Sequence, residues 1–146
     1  MTSFFSLPTG SRLCLSILAC CALQSVDAEM PEVAGTGGDD RLVGTPGTDY
    51  FRGGPGADVF VINYLSVEPD VIEDFDPDEG DTIELTFESD KRQPLQQENL
   101  SIDRKGVVKI NFGNRQQDVV RLNRSDLSLK LDPRKGRYVL RFSKKF

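Results

Sequence analysis

Three aspartates, Asp40, Asp49 and Asp58, recur at nine-residue intervals, each in the same glycine-rich setting. The copies read Gly35-Thr-Gly-Gly38-Asp-Asp40-Arg-Leu42-Val, then Gly44-Thr-Pro-Gly47-Thr-Asp49-Tyr-Phe51-Arg, then Gly53-Gly-Pro-Gly56-Ala-Asp58-Val-Phe60-Val. Slots one and four hold glycine, slot six aspartate and slot eight a large apolar residue. With glycine at about 7% of average usage, both glycine slots of one copy match by chance roughly 0.5% of the time. Three copies in phase are therefore not a linker that happens to look periodic. Glycine admits positive φ, so six residues can turn sharply with their carbonyl oxygens pointing inward, and the aspartate adds a carboxylate to that ring. Oxygen donors without imidazole or thiolate select a hard cation, and a flexible cage of carbonyls and carboxylates suits calcium better than the strict octahedron of magnesium.

Other chemistry is excluded by what is missing. The 146 residues contain no histidine and no tryptophan, which removes Ser-His-Asp and Cys-His triads, the usual zinc sites and the commonest general base. The three cysteines, Cys14, Cys20 and Cys21, all precede residue 29. A glycosidase working with carboxylates alone is the enzymatic reading left, but the repeat claims nearly every clustered carboxylate, so the chain is read as non-enzymatic.

The elements that must position the aspartates are all strands. The last three residues of each copy form a short strand whose middle side chain, Leu42, Phe51 or Phe60, faces the core. Beyond the repeats, residues 70–75 and 81–87 read as strands joined by a tight acidic turn through Pro77 and Gly80, and residues 90–99 as a surface loop containing Pro94. Strands are expected at 100–103, 107–112 and 118–123, separated by hairpin turns at 104–106 and 113–115. Alternation at Leu127, Leu129 and Leu131, and at Tyr138, Leu140 and Phe142, marks two more. The fold class is all-β: a short parallel β-roll of three nonapeptide repeats, capped by antiparallel strands and hairpins. Three copies lie at the lower limit for stacked repeats, so residues 62–146 must cap the roll.

Residues 1–28 read as a secretory signal, with Arg12, an apolar run at 13–23 and the small-residue site Val26-Asp27-Ala28. That run is about half the roughly 20 residues needed to cross a bilayer, so no transmembrane segment is expected. Ile17-Leu18-Ala19-Cys20 resembles a lipobox, the alternative that would tether the protein through Cys20. Residues 29–34 are expected to be a flexible leader, and residues 35–146 a single domain without disulfides, exported to a secreted, extracellular or periplasmic location.

The repeat resembles the hemolysin-type, or RTX, calcium-binding nonapeptide. That resemblance implies successive turns on opposite sides of a roll and a calcium ion between a turn and the one two copies later. Asp40 and Asp58 would then share one ion, completed by backbone carbonyls around Gly35, Gly37, Gly53 and Pro55. The segment from Asp70 through Asp74-Phe75 to Asp81 and Leu85 is similar to the closing segment of the C-terminal domain of serralysin-type proteases, which implies a second site formed by Asp74 and Asp81 with Asp49. Asp39, Asp76, Asp78 and Glu79 are read as solvated. The proteases' His-Glu-x-x-His motif is absent, and the chain's Ser143-Lys-Lys-Phe146 end is unlike the C-terminal signal of family members exported in one step.

Charge is divided along the chain. Residues 29–90 hold 17 acidic and 2 basic side chains, residues 91–146 hold 5 and 15. The acidic half is where a bound dication would relieve repulsion and so govern folding. The basic half, with Arg104, Lys105, Arg115, Arg121, Arg124, Arg134, Lys135 and Arg137, is the part that could hold an acidic polysaccharide, as RTX modules of alginate-modifying enzymes suggest. Without aromatic residues interleaved among these cations, nucleic acid is not an expected partner.

Overall fold

The computed structural model describes residues 30–63, 68–86, 94–134 and 137–145; the expected signal, Cys20 and Lys135 lie outside them. The three predicted repeat strands form as β2 (Arg41–Val43), β3 (Tyr50–Arg52) and β4 (Val59–Asn63). Each glycine-rich turn reverses the chain, so consecutive strands fall in opposite sheets. Leu42, Phe51 and Phe60 point between the sheets and are buried.

The leader is shorter than expected. Glu32–Ala34 is a strand, β1, paired parallel to β3 with Val33 opposite Phe51. Its sequence lacks the glycine turn that would have marked it, but Val33 packs against the core and supplies the apolar side chain that a roll strand needs.

Two further strands, β5 (Asp70–Ile72) and β6 (Thr82–Thr86), continue the parallel stacks on β3 and β4 respectively. The cap grows directly from them. β7 (Leu100–Ile102), β8 (Val107–Phe112) and β9 (Arg115–Leu122) form a meander whose last strand runs parallel to β5. β10 (Leu127–Arg134) and β11 (Arg137–Lys144) form a hairpin that joins β6 antiparallel. The result is a six-stranded sheet, β1-β3-β5-β9-β8-β7, facing a five-stranded sheet, β10-β11-β6-β4-β2. This is the all-β roll with antiparallel closure that the sequence predicts.

β9 starts three residues before its expected position because the turn preceding it needs only Gly113, at φ 68°, and Asn114, so Arg115 already pairs with Phe112. The loop expected through residue 99 also contributes to the interior. Leu95 is buried, its N–H donates to the Tyr138 hydroxyl at 3.0 Å, and a 3-10 turn at Gln97–Asn99 follows. The Gln97 amide covers the outer edge of β10, donating to the Leu129 carbonyl at 3.0 Å and accepting from the Leu131 N–H at 2.6 Å.

Aromatic rings carry the core from roll to cap. Phe51 meets Phe60 edge-on with centroids 5.8 Å apart, Phe60 meets Phe75 at 6.0 Å, and Phe75 meets Phe142 at 4.9 Å. Phe60 lies in the middle of this series and is fully buried. Phe60→Ala should cost about 3–5 kcal/mol, read as a lowered midpoint in calcium-containing denaturant titrations; a loss below about 1 kcal/mol would show that the series does not join the two halves.

Candidate metal centre

The glycine turns stack along two edges of the roll. Turns 35–40, 53–58 and 73–81 follow β1, β3 and β5 on one edge, and the turn 44–49 follows β2 on the other. Because β2, β4 and β6 are in register at Arg41, Val59 and Thr82, the residues before them, Asp40, Asp58 and Asp81, stand in one column. The Asp40 N–H donates to Asp58 Oδ1 at 2.9 Å, and the Asp58 N–H to Asp81 Oδ1 at 2.9 Å. On the opposite edge the Asp49 N–H donates to Asp70 Oδ1, also at 2.9 Å. Each carboxylate is thus held by the backbone of the preceding turn in its column.

The second oxygens differ by copy, and the difference traces to slot two. In the first two copies this slot is threonine. Asp40 Oδ2 accepts from the Thr36 N–H at 2.6 Å and its hydroxyl at 2.9 Å, and Asp49 Oδ2 accepts from the Thr45 N–H at 2.6 Å and its hydroxyl at 3.0 Å. In the third copy slot two is Gly54, which has no hydroxyl. Its N–H, with that of Gly53, goes instead to Asp74, at 2.8 and 2.9 Å. Asp58 Oδ2 is left buried without a hydrogen-bond partner, as is Asp70 Oδ2. A buried carboxylate oxygen without a donor costs several kcal/mol on general grounds, a cost that a bound cation would offset at either atom.

The turns on the Asp58 edge approach one another closely at their glycines. A Cβ on Gly53 would strike Asp58 Oδ2, one on Gly35 would strike the Gly53 carbonyl, and one on Gly54 the Thr36 carbonyl. At Gly56 it would lie 2.6 Å from the Gly38 oxygen. Gly54 and Gly56 also have φ of 88° and 124°, so these two positions need glycine for both conformation and space. The carbonyls of Thr36, Gly38 and Gly53 lie against neighbouring turns; Thr36, Gly37, Gly38 and Pro55 are exposed, whereas Gly53 is buried. Among the described residues no group of three or more carboxylates converges on a metal position. An ion here would need carbonyl oxygens as well as carboxylates, as calcium accepts.

The columns group the expected residues differently in part. Asp40 and Asp58 do share an edge. Asp81, expected with Asp49, stands under Asp58, because β6 follows β4 in the sheet; the partner of Asp49 is Asp70. Asp74 also belongs to the Asp58 edge, where it binds the Gly53 and Gly54 N–H groups. Asp70 is fully buried and stands in the column with Asp49, a placement the expected set did not include. The signal for it was present: Asp40-Arg-Leu42, Asp49-Tyr-Phe51, Asp58-Val-Phe60, Asp70-Val-Ile72 and Asp81-Thr-Ile83 share one pattern, but extra residues in the last two turns break the nine-residue phase. Asp39, Asp78 and Glu79 are exposed, as expected, and Asp76 is half-buried; Asp39 also accepts from the Ala57 N–H, Asp76 from that of Asp78, and Asp78 pairs with Lys144.

Residues 34–61 match the family model of the RTX calcium-binding nonapeptide repeat (4 copies). The RTX match covers turns 35–40, 44–49 and 53–58 and ends before β5, so the closing segment compared above with serralysin-type proteases lies outside it. No curated protein matches the chain. No solved structure matches it either.

The basic residues are distributed over both sheets. Arg124, Arg134 and Arg137 pair with Asp126, Asp132 and Glu84, while Arg104 and Lys105 sit on the β7–β8 turn, Arg115 begins β9 and Arg121 is exposed farther along it. Glu84 is buried under a bidentate pair with Arg41, at 2.8 and 3.1 Å, which holds its carboxyl below the ordinary value.

Burial has the opposite effect in the aspartate columns. It raises Asp70 to about 7, with the neighbouring Asp49 charge adding to the shift, and Asp81 to about 6, with Asp58 adding; Asp58 is also raised by burial. A carboxyl whose folded-state value exceeds its unfolded 3.8 binds more protons when folded, so metal-free stability falls as pH rises through that interval. Groups held low, such as Glu84, withdraw their support only below about 4.5. Melting in chelator should therefore peak near pH 4–5 and decline toward pH 7, while calcium affinity rises over the same interval; a chelated melting temperature that climbs from pH 5 to 7 would contradict this.

Proposed function

We propose that the domain is an exported, non-catalytic calcium-binding module whose fold is completed by the ion. The observation that carries this is Asp58 Oδ2, a buried carboxylate oxygen with no hydrogen-bond donor, packed against Gly53 on an edge where the glycines let neighbouring turns approach closely. The RTX match over residues 34–61 supports calcium as the ion. Asp58 with Asp40, and the Thr36, Gly38 and Gly53 carbonyls, would hold one ion; Asp49 and Asp70 would contribute to another on the opposite edge. When bound, calcium supplies the positive charge that these columns of buried carboxylates lack.

Extracellular calcium modules bind with dissociation constants on the order of 10⁻⁴ to 10⁻³ M. The chain would then be loose where calcium is scarce and folded outside the cell, consistent with the secretory signal read at residues 1–28. At free calcium about 100 times the dissociation constant, one site adds roughly 2.7 kcal/mol, which for a domain of this size raises the melting temperature by roughly 10 °C.

Asp58→Asn separates a ligand from a packing residue. Asparagine keeps an oxygen for the Asp40 N–H but removes the buried charge. The variant should bind calcium at least about tenfold more weakly by calorimetry, yet melt no lower than wild type in chelator. Wild-type melting curves and circular dichroism that are identical with calcium and with chelator would remove the calcium reading.

A further inference from the structure

We propose that Arg124, in the segment between β9 and β10, is a positioning residue for the metal site beside Asp58, an inference that rests on the calcium reading above. The closing turn 73–81 supplies Asp74 and Asp81 to that edge, but its own backbone bonds are long. Glu79 and Asp81 N–H groups reach the Asp76 carbonyl at 3.2 and 3.3 Å, and the Gly80 N–H reaches that of Pro77 at 3.3 Å. The turn needs support from outside, and the cap provides it.

Asp126 takes the Arg124 Nε and Nη2 at 2.9 and 3.0 Å, which fixes the guanidinium plane. Nη1 is then directed at Asp76 Oδ1, 3.5 Å away. That oxygen also accepts the Asp78 N–H at 3.0 Å, and the Asp76 N–H donates to Asp81 Oδ2 at 2.8 Å. Asp81 Oδ1 in turn receives the Asp58 N–H. The series Asp126, Arg124, Asp76, Asp81, Asp58 runs from the cap to the carboxylate with the unpartnered oxygen. Lys144 of β11, paired with Asp78, braces the same turn.

The sign of the effect distinguishes this role from simple charge. Arg124 is a cation near a cation site, so through-space electrostatics alone predicts that removing it strengthens calcium binding. Positioning predicts the reverse. Arg124→Lys keeps the charge but cannot span Asp126 and Asp76 with a planar fork, so it isolates geometry.

Calcium titration of the full chain by calorimetry tests this with wild type, Arg124→Gln, Arg124→Lys and the exposed Arg121→Gln as a charge control. Both Arg124 variants should bind about two- to five-fold more weakly, the range a partly exposed ion pair supplies, while Arg121→Gln binds as tightly as wild type or tighter. The Arg124→Gln effect should disappear in an Asp76→Asn background. Either Arg124 variant binding as tightly as wild type, or a full effect persisting without Asp76, overturns the inference. A wild-type chain that binds no calcium removes the calcium reading and this inference with it, an outcome distinct from a binding wild type with unaffected variants.

Discussion

The structure depends on a backbone N–H of one turn being satisfied by the aspartate carboxylate of the next turn in its column. Asp40 on Asp58, Asp58 on Asp81, and Asp49 on Asp70 repeat this bond at one length. It fixes the register of these parallel strand pairs, since each strand starts at its aspartate or the residue after it. It also forces carboxylates of like charge into columns away from water. The fold and the proposed metal site therefore share a cause: the groups that align the strands are the groups that a cation would neutralise.

This explains why the third copy matters most. Threonine at slot two lets Asp40 and Asp49 be satisfied within their own turns. Gly54 withdraws the hydroxyl, and Asp74 draws the turn's N–H groups toward the closing segment. The orphaned Asp58 oxygen arises where the regular repeat gives way to the cap, so two differently built regions meet at this carboxylate. The aromatic series from Phe51 to Phe142 joins the same regions through the interior, and Arg124 and Lys144 join them at the surface.

Much of this was legible in the residues. The nine-residue phase located β2, β3 and β4, alternation located the cap strands, and the absence of histidine and cysteine from residues 29–146 left oxygen as the donor type. What escaped were relations between strands distant in sequence. β1 lacks a glycine turn before it and is recognisable only once Val33 is seen opposite Phe51. Asp70 sits 12 residues after Asp58 and Asp81 11 after Asp70, so a search tuned to nine could not tell which edge either would join. Edge assignment follows from counting strands, and these longer, unequal spacings hide the count.

The alternation of sheets carries a consequence for how such a chain can change length. Asp40 and Asp58 are stacked neighbours although 18 residues separate them, because the intervening copy belongs to the other edge. Adding or deleting a single nonapeptide would exchange the sheets of all strands on one side of the change, sending β5 toward the hairpin that β6 now receives. Two nonapeptides restore every downstream neighbour. The roll thus has a parity: its length can vary freely only in steps of two copies, and an odd step would have to be matched by a rebuilt cap.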